Sequence, residues 1–164
     1  MISFLFKNLF LKMFRNNNLA FNVLIKDSSL YFLVLHIKLS SLLFSTQLLD
    51  IFSYENNSSF KKKFVCLLFN NLLLNIKYLV ITKTTRKGLN SVSELFLNAN
   101  WLEREASELS NIFFNNKKDT RNLMLPYGES SSPLLKTFPT IGYYELYFDR
   151  SKDLIKASKI SIQF

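Results

Sequence analysis

The chain has 164 residues, 48% of them hydrophobic, and a formal charge of +9. That length fits one domain with a real core, and the longest charge-free runs, residues 39–49 and 64–76, fall short of the roughly 18 to 20 apolar residues that span a bilayer. With a single cysteine, Cys66, and a single histidine, His36, the chain offers no intrachain disulfide and no zinc or iron–sulfur centre of its own.

Usage of 17 Phe, 17 Asn and 16 Lys beside 4 Ala and 5 Arg follows AT-rich codons and points to an organelle's genome. Residues 1–90 hold 12 Lys/Arg and 3 Asp/Glu, whereas 91–164 hold nine of each. A basic half of this kind faces an acidic partner, RNA or anionic lipid, or is simply a solvated lysine surface. There is no GxGxxG, P-loop or nucleophile elbow, so no catalytic, cofactor-binding or metal-binding residues are expected.

In chain order, residues 1–26 contain four basic residues and no acid, and read as an amphipathic starting helix. Residues 30–37, LYFLVLHI, read as a buried strand, and Leu39, Leu42, Leu43 and Phe44 return to helical spacing. A short strand follows in LLDIFSYE (48–55), running into a polar turn. FKKKFVCLLF (60–69) and NIKYLVITKT (75–84) are then antiparallel strands, with the hairpin turn at Asn70 and Asn71, because Asn tolerates positive φ. Cys66 falls inside the first of these as a core cysteine.

The next helix starts near Asn100, which with Glu103 forms a capping box. Leu102, Ala106, Leu109 and Phe113 define its apolar side, with Glu103 and Arg104 elsewhere on the surface and Arg104–Glu108 as an i,i+4 pair. All three prolines lie between Pro126 and Pro139, so this segment is expected to be an extended arm, with Leu123, Leu125, Leu134, Leu135 and Phe138 as anchors. Residues 142–149 and 154–164 alternate like two strands around an RSKD turn, able to join a partner's sheet edge. The layout is α+β: a small helix-plus-antiparallel-sheet domain followed by a long extended C-terminal arm. The expected divisions are a divergent basic segment (1–29), a core ending in the ERE helix (30–114) and the arm (115–164).

The ERE stretch also carries a family motif: E-R-E-x2-[DE], two apolar residues, x6, His or Lys, x3, a basic residue, x and two apolar residues. Glu103, Arg104, Glu105, Glu108, Leu109, Lys117, Arg121, Leu123 and Met124 fall at its spacings, with Ser110 the one mismatch. Tyr127-Gly128, PLLKTFP (133–139) and GYYELYFD (142–149) continue the likeness. The chain thereby resembles the 30-kilodalton subunit family of respiratory complex I. It departs from that family at Ser110–Asn111, NKKDTRN (116–122), ESSSP (129–133) and Leu135, which touches loops and partner contacts.

The resemblance implies an α+β domain and an extension along the 49-kilodalton subunit, near the quinone-reducing module. It also implies a non-catalytic subunit without flavin or iron–sulfur cluster, on the matrix side of the mitochondrial inner membrane. Trp101, Glu103, Arg104, Glu105, Glu108, Arg121, Tyr127, Lys136 and Phe138 are the expected subunit-interface residues. The alternative expectation is a basic RNA-binding protein of an organellar ribosome, suggested by the high pI and Lys61–Lys63; the resemblance itself implies no nucleic acid. A membrane-bound protein held by residues 1–26 is a third.

Overall fold

A computed structural model describes residues 10–15, 20–41, 43, 45–56, 63–84, 87–128 and 131–161, with the backbone alone for 10–15 and 20. Strands β1 (Phe10–Arg15) and β2 (Ala20–Ile25) lead through a 3-10 turn (Asp27–Ser29) into helix α1 (Leu30–Leu39). Strands β3 (Thr46–Glu55), β4 (Lys63–Asn71) and β5 (Ile76–Lys83) follow. The short strand β6 (Leu89–Asn90) precedes helix α2 (Ala99–Ser110) and pairs in parallel with β7 (Phe114–Asn115); β8 (Tyr144–Asp149) and β9 (Leu154–Lys159) close the chain.

The five-stranded sheet has the order β1-β2-β5-β4-β3. Its pairs are antiparallel except β2 with β5, which run parallel, so the sheet is mixed rather than purely antiparallel. Both helices contribute to one core with the inward sheet residues: Leu30, Leu33, Val34 and Ile37 of α1, Ala99 and Ala106 of α2, and Val65, Leu67, Phe69 and Val80 of the sheet. The fold is α+β.

Several expectations change. The described part of residues 1–26 is strand, with Ala20–Ile25 hydrogen-bonded along β5, and residues 1–9 lie outside the described residues. Sheet pairing across distant sequence outweighs the weak local preference of this stretch. Residues 30–39 are a helix, not a strand. LYFLVLHI is so uniformly apolar that no period stands out, yet Leu30, Leu33, Val34 and Ile37 form an i, i+3, i+4, i+7 buried stripe. Of the helical spacing expected at Leu39, Leu42, Leu43 and Phe44, Leu39 is the last residue of α1 and Leu43 lies in a turn, while Leu42 and Phe44 are outside the described residues.

The β4–β5 hairpin turns later than expected, over Leu72–Asn75. Asn70 and Asn71 belong to β4, and Asn75 takes the positive φ, at 49°. Asn71 still shapes the turn, because its Oδ1 accepts the Leu74 N–H at 2.9 Å while its Nδ2 donates to Thr46 Oγ1 at 3.2 Å. The Tyr78 hydroxyl donates to the same Thr46 oxygen, and burial pushes its pKa up to about 12. Cys66 is buried in β4, and desolvation likewise raises its thiol to about 12.

Candidate functional site

The motif residues converge on one loop. Helix α2 starts after Asn98, whose amide donates to Leu48 O on β3 instead of capping the helix. Asn100 lies inside the helix, so the expected capping box is not formed. The helix stops at Asn111 in the left-handed region, φ 51°, and the chain then folds back along the helix through residues 117–124.

Glu103 is fully buried rather than on the surface. Its Oε1 accepts the Val92 N–H at 2.7 Å, and its Oε2 accepts the Ser91 hydroxyl at 2.7 Å and the Lys117 ammonium at 3.0 Å. Lys117 also donates to Asn100 O and Asn100 Oδ1, so its three N–H donors each have an acceptor. Both charges of this ion pair are out of water, with side-chain exposures of 2% and 1%. A buried pair costs desolvation, and good geometry with every lone pair and proton used is what offsets it.

Arg104 is buried too, and it does not pair with Glu108. Its Nε donates to Arg121 O at 2.8 Å, one terminal nitrogen to Asn122 O at 3.0 Å and the other to Asp119 Oδ2 at 3.3 Å. Its guanidinium lies 5.3 Å from the Trp101 ring centroid, a cation–π distance. Glu108 instead accepts the Leu123 and Met124 amides at 2.8 and 2.6 Å, one on each oxygen. Asp119 is held well below the usual carboxylate range, chiefly by hydrogen bonds from the Arg121 guanidinium and backbone N–H, with Arg104 adding charge.

The expected apolar side of α2 is therefore turned. The buried residues are Ala99, Glu103, Arg104, Ala106 and Ser110; Leu102 packs partly on the core, and Phe113 is exposed. Charged residues occupy inward positions because the adjoining segment brings matching donors and acceptors, a fact that helical spacing does not contain.

The other expected site residues are spread out. Trp101 and Tyr127 are exposed, and Glu105 is half-buried without a hydrogen bond or ion pair among the described residues. Lys136 gives its backbone N–H to Glu55 Oε2 at 3.0 Å, and Phe138 meets Tyr143 edge-on. Lys117 and Asp119, the loop's side of the latch that α2 closes on it, fall outside the expected interface set, although Lys117 stands at a motif spacing. Among the described residues no three His, Cys, Asp or Glu gather as metal ligands, and no helix is long and apolar enough to cross a membrane.

Between residues 116 and 143 no described residue is in helix or strand. Beyond the bonds that hold residues 117–124 to α2, this stretch touches the domain through Leu134 N–H to Leu109 O and the Lys136–Glu55 bond. The β8–β9 ribbon turns at Arg150–Asp153, as the RSKD spacing predicts, and pairs only with itself.

A family model described as the respiratory-chain NADH dehydrogenase, 30 Kd subunit, matches residues 23–144. The chain belongs to this 30 Kd subunit family. The match takes in α1, the sheet from β2 onward, the α2 latch and the loop it holds, and ends at the first residue of β8. NADH-ubiquinone oxidoreductase subunit 9 of Acanthamoeba castellanii is 30% identical over 146 residues, 89% of this chain and 73% of that protein. Its namesake in Paramecium primaurelia is 51% identical over 59 residues, 36% of this chain and only 28% of the relative. A bacterial relative, a subunit of the Francisella tularensis NADH-quinone oxidoreductase, is 43% identical over 63 residues, 38% of this chain and 29% of its own length.

Two solved structures share the family fold. The trypsin-resistant fragment of Nqo5 superposes with a TM-score of 0.57 over 66% of this chain and 88% of the fragment, at 19% identity. A chain of the membrane-bound sulfane sulfur reductase, an archaeal respiratory membrane complex, gives 0.72 over 85% of this chain and 84% of its own, at 14% identity.

Proposed function

We propose that the chain is a structural, non-catalytic subunit of the matrix arm of mitochondrial NADH:ubiquinone oxidoreductase. It clamps the 49-kilodalton subunit and neighbouring quinone-module subunits, while flavin, clusters and quinone reside in those partners. The α2 latch carries the reading. Glu103, Arg104 and Glu108 do not aim at an open cleft; they are consumed in gripping residues 117–124, so they set where the following segment leaves the domain. That segment then presents exposed side chains, among them Met124, Tyr127 and Leu134, which suit partner grooves better than solvent.

A second support is the terminal ribbon. Tyr144, Leu146, Phe148 and Ile155 share one face and are all more than half exposed, and the opposite face combines the Lys156–Asp149 ion pair and a Ser158–Glu145 hydrogen bond with exposed Tyr147 and Leu154. In this reading the motif residues act as an intrachain clamp on the arm's exit, and Trp101, Tyr127 and the ribbon do the touching.

The test is native-gel fractionation of gently solubilised mitochondrial membranes, with mass spectrometry for this polypeptide and an in-gel NADH oxidation stain. Comigration with the large NADH-oxidising band is the expected result. Migration with ribosomal proteins, or as a free chain, would overturn the proposal and favour RNA binding.

A further inference from the structure

Both described helices pack on one face of the five-stranded sheet, and the other face is apolar as well. Its central row runs across four strands: Leu24 pairs with Ile81, Ile81 with Cys66 and Cys66 with Phe52. Leu79 and Leu68 lie beside this row, and Phe64 stacks on Tyr54 with centroids 5.3 Å apart. Cys66 is buried yet stands outside the core formed with the helices, as expected for the opposite side of the pleat. Phe52 is 42% and Tyr54 47% exposed. A sheet covered on one side ordinarily alternates to polar residues on the other; here the centre of the second face stays apolar, and Asn22, Gln47, Asp50 and Asn70 flank it.

Two cations mark the length of the patch. Lys77 and Lys83 lie on β5 in phase with Leu79 and Ile81, and both are solvent-exposed. Six strand steps separate them, about 20 Å. Asp50, on edge strand β3, is the one acid on this face among the described residues, and its Oδ1 already accepts the Ile51 N–H at 2.7 Å. The patch also belongs to the basic half of the chain.

We propose that this second sheet face is a docking site for an amphipathic helix of another subunit, which lies along β5 with its apolar stripe over Leu79, Ile81 and the middle of the Leu24–Phe52 row and whose carboxylates reach Lys77 and Lys83. A helix fits because it satisfies its own backbone and needs only side-chain burial, and helices on a sheet's two faces are a standard layered arrangement. Matching a separation of about 20 Å takes about 13 residues at the helical rise. Acidic side chains at its ends give the register, since opposite charges around an apolar centre steer and orient association.

The test rests on the proposed function for its material, the intact NADH-oxidising complex. There, amine labelling is read residue by residue, and carbodiimide cross-links are mapped by mass spectrometry. Lys77 and Lys83 should label several-fold more slowly than Lys26 and Lys87, and should cross-link to Asp or Glu on a helical segment of a different subunit. Labelling as fast as Lys26 and Lys87 overturns the inference while leaving the subunit assignment intact. So does a cross-link joining two copies of this chain, or protection that disappears on delipidation. Absence of the chain from the complex fails the functional proposal instead.

Discussion

Glu103 and Glu105 stand two residues apart in the same helix and have opposite fates. Glu103 is enclosed with Lys117, so Glu103→Gln strands a buried ammonium, and breaking such a pair costs about 3 to 5 kcal/mol. Glu105→Gln should stay within about 0.5 kcal/mol, as surface substitutions without special contacts do. Urea midpoints of the two variants check this, and equal midpoints would contradict the latch. Asp119 adds a pH signature. Its folded-state pKa is depressed, so its contribution is present above the unfolded value near 4 and is lost as pH falls through the folded one. Asp119→Asn should therefore be less stable than the parent chain at neutral pH, with the gap constant down to about pH 5 and closing below about pH 4. A gap that widens on acidification would reverse the assigned sign. At this scale the motif spacing selects Glu103, Arg104, Glu105, Glu108, Lys117 and Arg121, and only the structure separates Glu105, which has no bonded partner among the described residues, from the rest. The sequence does not show that they bond to one another's backbone, since the same spacing suits an exposed interface.

Among the elements, β3, β4, β5 and the terminal ribbon are readable from alternation and turn residues, and α2 from its position. Helix α1 and the β1–β2 hairpin are not. A run such as Leu30–Leu35, apolar at every position, carries no phase, and a hairpin that depends on parallel pairing with β5 takes its register from residues more than fifty positions away. Gly88 is a sharper case of a local requirement. Its φ is +80°, and a Cβ there would lie 2.7 Å from Phe113 O, the carbonyl that accepts the Leu89 N–H closing β6 against the loop. Gly88→Ala should therefore destabilise by more than about 1 kcal/mol, through strain and loss of the β6–β7 pairing together. Denaturation of the variant checks the size, and faster amide exchange at Leu89 checks the mechanism.

For the whole molecule, the decisive feature is unequal coverage: among the described residues both helices lie on one sheet face, while Phe52 and Tyr54 on the other face and most of the ribbon are exposed. A two-stranded hairpin is marginal in water without further packing. Amides of β8 and β9 should thus exchange far faster than those of β4 and β5 in the separate chain, and slow markedly within the complex. Equal exchange of ribbon and sheet in the separate chain would show that the ribbon needs no partner.

Much of this protein is written in local pattern: the α+β class, three of the sheet strands, the ribbon and its turn, the proline-rich segment and the family motif. These follow from side-chain period, fixed φ at proline and the spacing of charged residues. Which way α2 faces, that Glu103 and Lys117 are buried together, and that Asn75 rather than Asn70 or Asn71 takes the positive φ of the hairpin come only from folding. Burial of a charge is favourable solely where a partner is brought to it through space, and a linear pattern carries no record of that partner's arrival.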